Sequence, residues 1–88
     1  MKQTNDTELF VITMEECAEL IQELSKNIRF GWSYTNKDRL TQEVGDVVCM
    51  INLLQKQGFI NSIDVAKAAQ RKIQKLQKWS NLDLKPNE

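Results

Sequence analysis

The chain has 88 residues, 41% hydrophobic and 27% charged, with 12 basic and 12 acidic side chains, two cysteines and no histidine. A formal net charge of +0 removes the field that would draw it to nucleic acid, and the absent histidine excludes a di-iron bundle built on Glu-x-x-His pairs. A single domain this small buries only about 60–65% of its unfolded surface, so self-association is expected as a remedy.

The two cysteines lie far apart with no Cys-x-x-Cys, which excludes a zinc site or a disulfide framework; each reads as a small apolar helix residue. The acid-rich start has no apolar signal core and no apolar run is long enough to span a bilayer, so no membrane partner and a cytoplasmic location are expected. Charge is unevenly spread. Asp6, Glu8, Glu15, Glu16, Glu19 and Glu23 stand against Lys2 in the first part, whereas Lys67, Arg71, Lys72, Lys75 and Lys78 run without an acid over 66–79. Such blocks suit helices packed by complementary charge, or a polyanion held with its metal.

Residues 1–6 read as a polar tail, with Asn5, Asp6 and Thr7 as cap oxygens for a first helix over about 8–28. Leu9, Phe10, Thr13, Met14, Cys17, Leu20, Ile21, Leu24 and Ile28 follow the i, i+3, i+4, i+7 spacing, and the apolar stripe centres near Cys17 and Leu24. Gly31 ends this segment inside the aromatic stretch Phe30 to Tyr34. A second helix is expected from near Lys37, capped by Thr35 or Asn36, with Leu40, Val44, Val47, Val48, Ile51 and Leu54 inward and Gly58 at its end. Cys49 and Met50 fall outside that stripe and hint at an interface between copies. Asn61 and Ser62 are cap candidates for a third helix reaching about Trp79, with Ile63, Ala66, Ala69, Ile73 and Leu76 on its apolar side. The stretch 81–88 reads as a second polar tail. No segment alternates with period two, so the fold class is all-α: a helical hairpin plus a third helix, two subunits forming a four-helix-bundle-like dimer core.

Acids recur in a pattern on both hairpin helices. Glu16 and Glu19 are three apart on the first helix, and Glu43 and Asp46 three apart on the second. On a helical wheel Glu16 is offset roughly 80° and Glu19 roughly 140° from the apolar centre, with Glu43 and Asp46 offset by roughly 70° and 130° in the same sense. Antiparallel packing brings both pairs to one lip of the hairpin, Glu16 and Glu43 deeper, Glu19 and Asp46 nearer solvent. Glu15 points away from the core and is the outlier. Four such carboxylates need relief from a cation, from protonation or by splaying into water. Oxygen ligands without nitrogen or sulfur select a hard cation, Mg²⁺ first and Mn²⁺ second. Gly45, mid-helix beside Asp46, suggests close approach of something to that backbone.

Glu15-Glu16-x-x-Glu19, a gap of 23 residues and Glu43-x-x-Asp46 resemble the signature of the MazG-like all-α nucleotide pyrophosphohydrolases. The flanks match too: Leu24-Ser25-Lys26 running into Arg29-Phe30-Gly31, then Lys72-Ile73-x-Lys75-Leu76-x-Lys78-Trp79-Ser80-Asn81. The resemblance covers about residues 8–81 and makes 1–88 one domain of this type, without the extra helices of longer members. It implies Mg²⁺-dependent hydrolysis of (deoxy)nucleoside triphosphates to the monophosphate and pyrophosphate, by water attack at the α-phosphorus. It makes Glu16, Glu19, Glu43 and Asp46 metal ligands, Glu15 the accessory first acid, and Lys72 and Lys75 phosphate contacts.

The general base is one of Glu15, Glu16 and Glu19. Arg29 is a further phosphate contact or a partner for acids, and Trp32 belongs to an aromatic cluster able to stack a base or cap the core. A homodimer is expected, and the resemblance also admits a tetramer of two dimers. The competing reading is a small non-catalytic helical module whose acidic lip binds a basic partner.

Overall fold

In the computed structural model, residues 2–84 are described, with side chains from Asn5 onward. Three helices follow one another: α1 (Lys2–Phe30), α2 (Tyr34–Lys56) and α3 (Ser62–Trp79). Among the described residues there is no strand, and the chain is all-α.

The first helix begins at Lys2, not near residue 8, so the expected tail and cap at Asn5–Thr7 are replaced by helix. Nothing in 2–7 breaks a helix, and the end of α2 offers a surface to lie on: Asn5, Asp6 and Leu9 line one crevice with Leu53 and Gln57. Gly31, at φ 87°, closes the other end, its N–H donating to the Asn27 carbonyl at 3.0 Å.

Ser33 caps α2 by accepting the Asn36 N–H at 3.2 Å. Thr35 and Asn36 therefore lie inside the first turn, a correction to their expected place ahead of the helix. The displaced Asn36 ties the turn together: its side-chain amide donates to the Gly31 carbonyl at 2.7 Å, and its oxygen accepts from Arg39. Gly58, at φ 85°, lies just past the end of α2, where the Phe59 N–H reaches back to the Leu54 carbonyl at 3.0 Å. Asn61 caps α3, accepting from the Ile63 and Asp64 N–H groups.

The main interface is α1 against α2; α3 has no comparable contact with either. Facing residues show that α1 and α2 run in opposite directions: Leu9 meets Leu53 near one end, and Glu23 meets Arg39 toward the other. The line that α1 turns toward α2 runs through Leu9, Thr13, Glu16, Leu20, Glu23 and Asn27, all buried or half-buried. Leu40, Glu43, Val47, Met50 and Leu54 answer from α2. One edge of the expected apolar stripes joins this seam, Leu9, Thr13 and Leu20 from α1 and Leu40, Val47 and Leu54 from α2, but the centre of the α1 stripe does not. Cys17, Ile21 and Leu24 are exposed, and the seam lies one residue, about 100°, to one side of them. Met50, expected outside the stripe, is the one buried hydrophobic side chain among the described residues.

Large apolar groups are therefore left open. Met14 is 63% exposed, Ile21 66% and Ile28 86%, and Val44 and Val48 lie exposed on α2. Residues one position after each seam residue fall on the same side of an antiparallel pair, so these groups form one continuous face. Phe10 of this face meets Phe59 edge-on, with ring centroids 4.8 Å apart, and this contact docks the start of the third segment. Beyond it α3 buries no side chain, and Ile63 and Ile73 are exposed. The radius of gyration is 15.8 Å, against about 12 Å for a compact globule of this length. The three helices do not enclose a core of their own.

Candidate metal centre

Two helix turns on each side build the site. Glu16 and Glu19 are successive-turn neighbours on α1, as are Glu43 and Asp46 on α2. The antiparallel register brings the two pairs to the same level, and one carboxylate oxygen from each of the four lies within 4.8 Å of the other three. Glu16 and Glu43 are half-buried in the seam, while Glu19 and Asp46 are exposed on its lip. Each helix thus supplies one deep and one shallow acid. The deep ones sit on the contact line itself, closer to the hairpin axis than an apolar stripe centred on Cys17 implies.

The electrostatics are those of crowded carboxylates without a counter-charge. The Glu16 carboxyl is pushed above the ordinary glutamate range, first by desolvation, then by the charges of Glu19, Asp46 and Glu43. Glu43 is raised in the same way: desolvation leads, and Glu19, Asp46 and Glu23 add to it. One oxygen of each deep acid, Glu16 Oε2 and Glu43 Oε2, is buried without a hydrogen-bond partner. Buried acceptors in that condition are rare and call for an explanation. Among the described residues no lysine or arginine pairs with any of the four; the one ion pair joins Arg39 to Glu23. Four acceptor-only groups, two of them with orphaned oxygens, fit a hard divalent cation. Beyond its own helix backbone and its two chain neighbours, nothing lies within 4 Å of the place a Cβ would take on Gly45, so that position faces open space.

Other residues singled out in the sequence lie elsewhere. Glu15 is exposed, about 100° from the seam on the side of Glu19, so it borders the lip and does not point opposite the core. Arg29 stacks over Phe30, 5.3 Å from the ring centroid, ten residues along α1 from Glu19. That is about 15 Å of helix. Trp32 is exposed in the short turn after it. Lys72 and Lys75 are exposed on α3, which the fold does not bring into extensive contact with the hairpin. Among the described residues, Arg29, Trp32, Lys72 and Lys75 form no ion pair or hydrogen bond with the acid quartet.

Glu23 and Arg39, which lie outside the acid motif, meet one turn further along the seam. A signal for Glu23 was present, since it repeats Glu16 at seven residues and so returns to the same face.

No curated protein and no solved structure gave a match to this chain. The model of the MazG nucleotide pyrophosphohydrolase domain matches residues 3–80, a span that holds all three helices but for the first residue of α1. Families of this kind are hydrolases that depend on divalent metal, and the four carboxylates lie within the matched span. With nearly the whole chain covered, the protein belongs to the MazG nucleotide pyrophosphohydrolase domain family.

Proposed function

We propose that the chain is a Mg²⁺-dependent nucleoside triphosphate pyrophosphohydrolase, releasing pyrophosphate and a nucleoside monophosphate. The observation that carries this reading is the meeting of four carboxylates from two helices within 4.8 Å, inside the span matched by the family model. Mg²⁺, with Mn²⁺ as a substitute, supplies Lewis-acid stabilisation of a triphosphate when bound. Glu16, Glu19, Glu43 and Asp46 are the residues that would hold it.

The deep pair and the shallow pair have different tasks. Glu16 and Glu43 are half-buried in the seam, each with one buried oxygen that has no hydrogen-bond partner. Glu19 and Asp46 stand at the solvent edge, where a phosphate chain can approach without unpacking the helices. A general base must lie at this edge or beside it to take a proton from water attacking the α-phosphorus. Glu15, Glu16 and Glu19 are the candidates, and the first and last have the solvent access the task needs. Lys72 and Lys75 are proposed to meet the β and γ phosphates, with Arg29 and Trp32 as further substrate contacts.

The assembly belongs to the same proposal. A compact monomer of this mass exposes about 5,300 Å², whereas this chain exposes 7650 Å². The excess, about 2,300 Å², is on the scale that each partner loses in an obligate dimer. The open face of α1 and α2 is apolar and continuous, and a second copy carries the complementary surface by symmetry. A homodimer with a four-helix core covers it.

One assay tests the function. A panel of nucleoside triphosphates is incubated with the protein and Mg²⁺, and pyrophosphate is measured. Product that disappears with EDTA and in Glu43→Ala supports the proposal. No turnover by folded protein on any canonical or modified nucleotide would leave the binding-module reading in its place.

A further inference from the structure

The seam buries a fifth carboxylate that lies outside the acid motif. Glu23 is four residues past Glu19 on α1, and Arg39 is four residues before Glu43 on α2, so their pair occupies the turn adjoining the quartet. The Glu23 side chain is 6% exposed, more deeply buried than any member of the quartet, and its Oε2 has no hydrogen-bond partner. Its Oε1 lies 3.7 Å from Arg39 Nε, an ion pair too long to count as a hydrogen bond. Arg39 is half-exposed and has a second anchor, the Asn36 side-chain oxygen, so Glu23 is not what holds it in place.

A buried carboxylate with one orphaned oxygen and one long, single contact is poorly compensated. The seam could have carried an apolar residue here, as it does at Leu20 on the same helix line. A divalent cation one turn away supplies the positive charge that Glu23 lacks. The proximity is electrostatic as well as geometric, because the charge of Glu23 is among those felt at the Glu43 carboxyl.

We infer that Glu23, outside the quartet and paired with Arg39, is a supporting carboxylate of the cation site, and that this pair sets the affinity of the site for a divalent metal. The inference rests on the metal reading above and deepens it. The negative charge of Glu23 favours the cation, and the charge of Arg39 limits how tightly the site holds it. Glu23 acts through the field and packing around the quartet; it is a positioning residue.

The test is Mn²⁺ binding without nucleotide, read from the resonance signal of the free ion. Wild type is compared with Glu23→Gln, Arg39→Gln and the double variant, each checked for helix content. Glu23→Gln is expected to weaken binding about tenfold, the lower end for removing a group that supports metal ligands. Arg39→Gln is expected to tighten it several-fold, and the double variant to bind more weakly than wild type. Wild-type affinity in Glu23→Gln would overturn the inference. So would wild-type affinity in the double variant, since Glu23 would then act only by neutralising Arg39. Should Glu23→Gln fail to fold, Arg39→Gln decides alone: unchanged or weaker binding there overturns it. Wild type that binds no Mn²⁺ sinks the metal reading and this inference together, whereas the other failures leave that reading standing.

Discussion

The seam between α1 and α2 and the stripe beside it differ by a single residue step on each helix, yet the seam mixes leucines with buried acids while the stripe on α1 is apolar throughout. The seam holds Thr13, Glu16, Glu23, Asn27 and Glu43, polar groups that a helix pair would normally turn to water. The stripe holds Met14, Cys17, Ile21, Leu24 and Ile28, groups that a helix pair would normally bury. The difference teaches that the hairpin is not a self-sufficient hydrophobic unit. Its internal contact buries acids among leucines, and a large part of its apolar surface stays exposed.

Breaking the seam at its chemistry has the largest expected effect. Glu43→Ala should lower pyrophosphate release by about 10²–10³-fold or more, the scale for losing one preorganised electrostatic contact. Circular dichroism should show the helices intact. Retained activity would mean that the quartet is not where the reaction occurs.

Breaking the stripe should act on assembly. Ile21→Asp places a charge on the open face of each copy, and a buried unpaired charge costs about 2–5 kcal/mol. Dimer dissociation should shift by at least about 30-fold, measured by light scattering across a dilution series. A wild-type monomer would overturn the dimer, and a variant that stays dimeric would locate the interface elsewhere.

The metal-free seam should also respond to pH with a defined sign. Glu16 and Glu43 have carboxyls raised above their ordinary value, so the folded state binds more protons than the unfolded chain across the interval between the two. Their stabilising contribution is therefore complete below the ordinary carboxylate range and is lost as pH rises through the raised values. The Tm in EDTA should fall over that interval, and added Mg²⁺ should restore it near neutral pH. A Tm in EDTA that rises over the same interval would mean that the acids are already compensated within the chain.

Smaller effects should follow from the periphery. Phe59→Ala removes the edge-on contact with Phe10, worth about 0.5–1.5 kcal/mol beyond burial, and should lower Tm by a few degrees while leaving kcat near wild type. Lys72→Ala and Lys75→Ala should raise KM for triphosphate a few-fold, with little change in Mn²⁺ binding. Equal KM in both would remove α3 from the substrate site.

Much of the architecture was legible along the chain because helices are local. The spacing of Leu9 to Ile28 and of Leu40 to Leu54, the glycines at 31 and 58 and the cap at Asn61 all act within a turn or two of themselves. The acid pairs were legible for the same reason, since three-residue spacing is read on one helix at a time. The start of α1 was not, because its first turns rest on the far end of α2. The N-cap of α2 was missed because Ser33 competes with Thr35 and Asn36, and the bonds of Asn36 to Gly31 and Arg39 decide among them.

What the sequence by itself determined is the set of helices and the two acid pairs that ride on them. Only the tertiary structure decided which face of each helix meets the other. A wheel assigns the most apolar stripe to the core, but each helix here presents two candidate faces about 100° apart, and a periodicity cannot say which partner covers which. Packing chose for the hairpin the face that carries acids between its apolar residues. That choice put Glu16 and Glu43 on the axis, brought Glu23 against Arg39, and left Ile21 and Ile28 uncovered. The reason is physical: burial depends on every surface available to a helix, and here the surface that suits the apolar stripe is not on the same chain's hairpin.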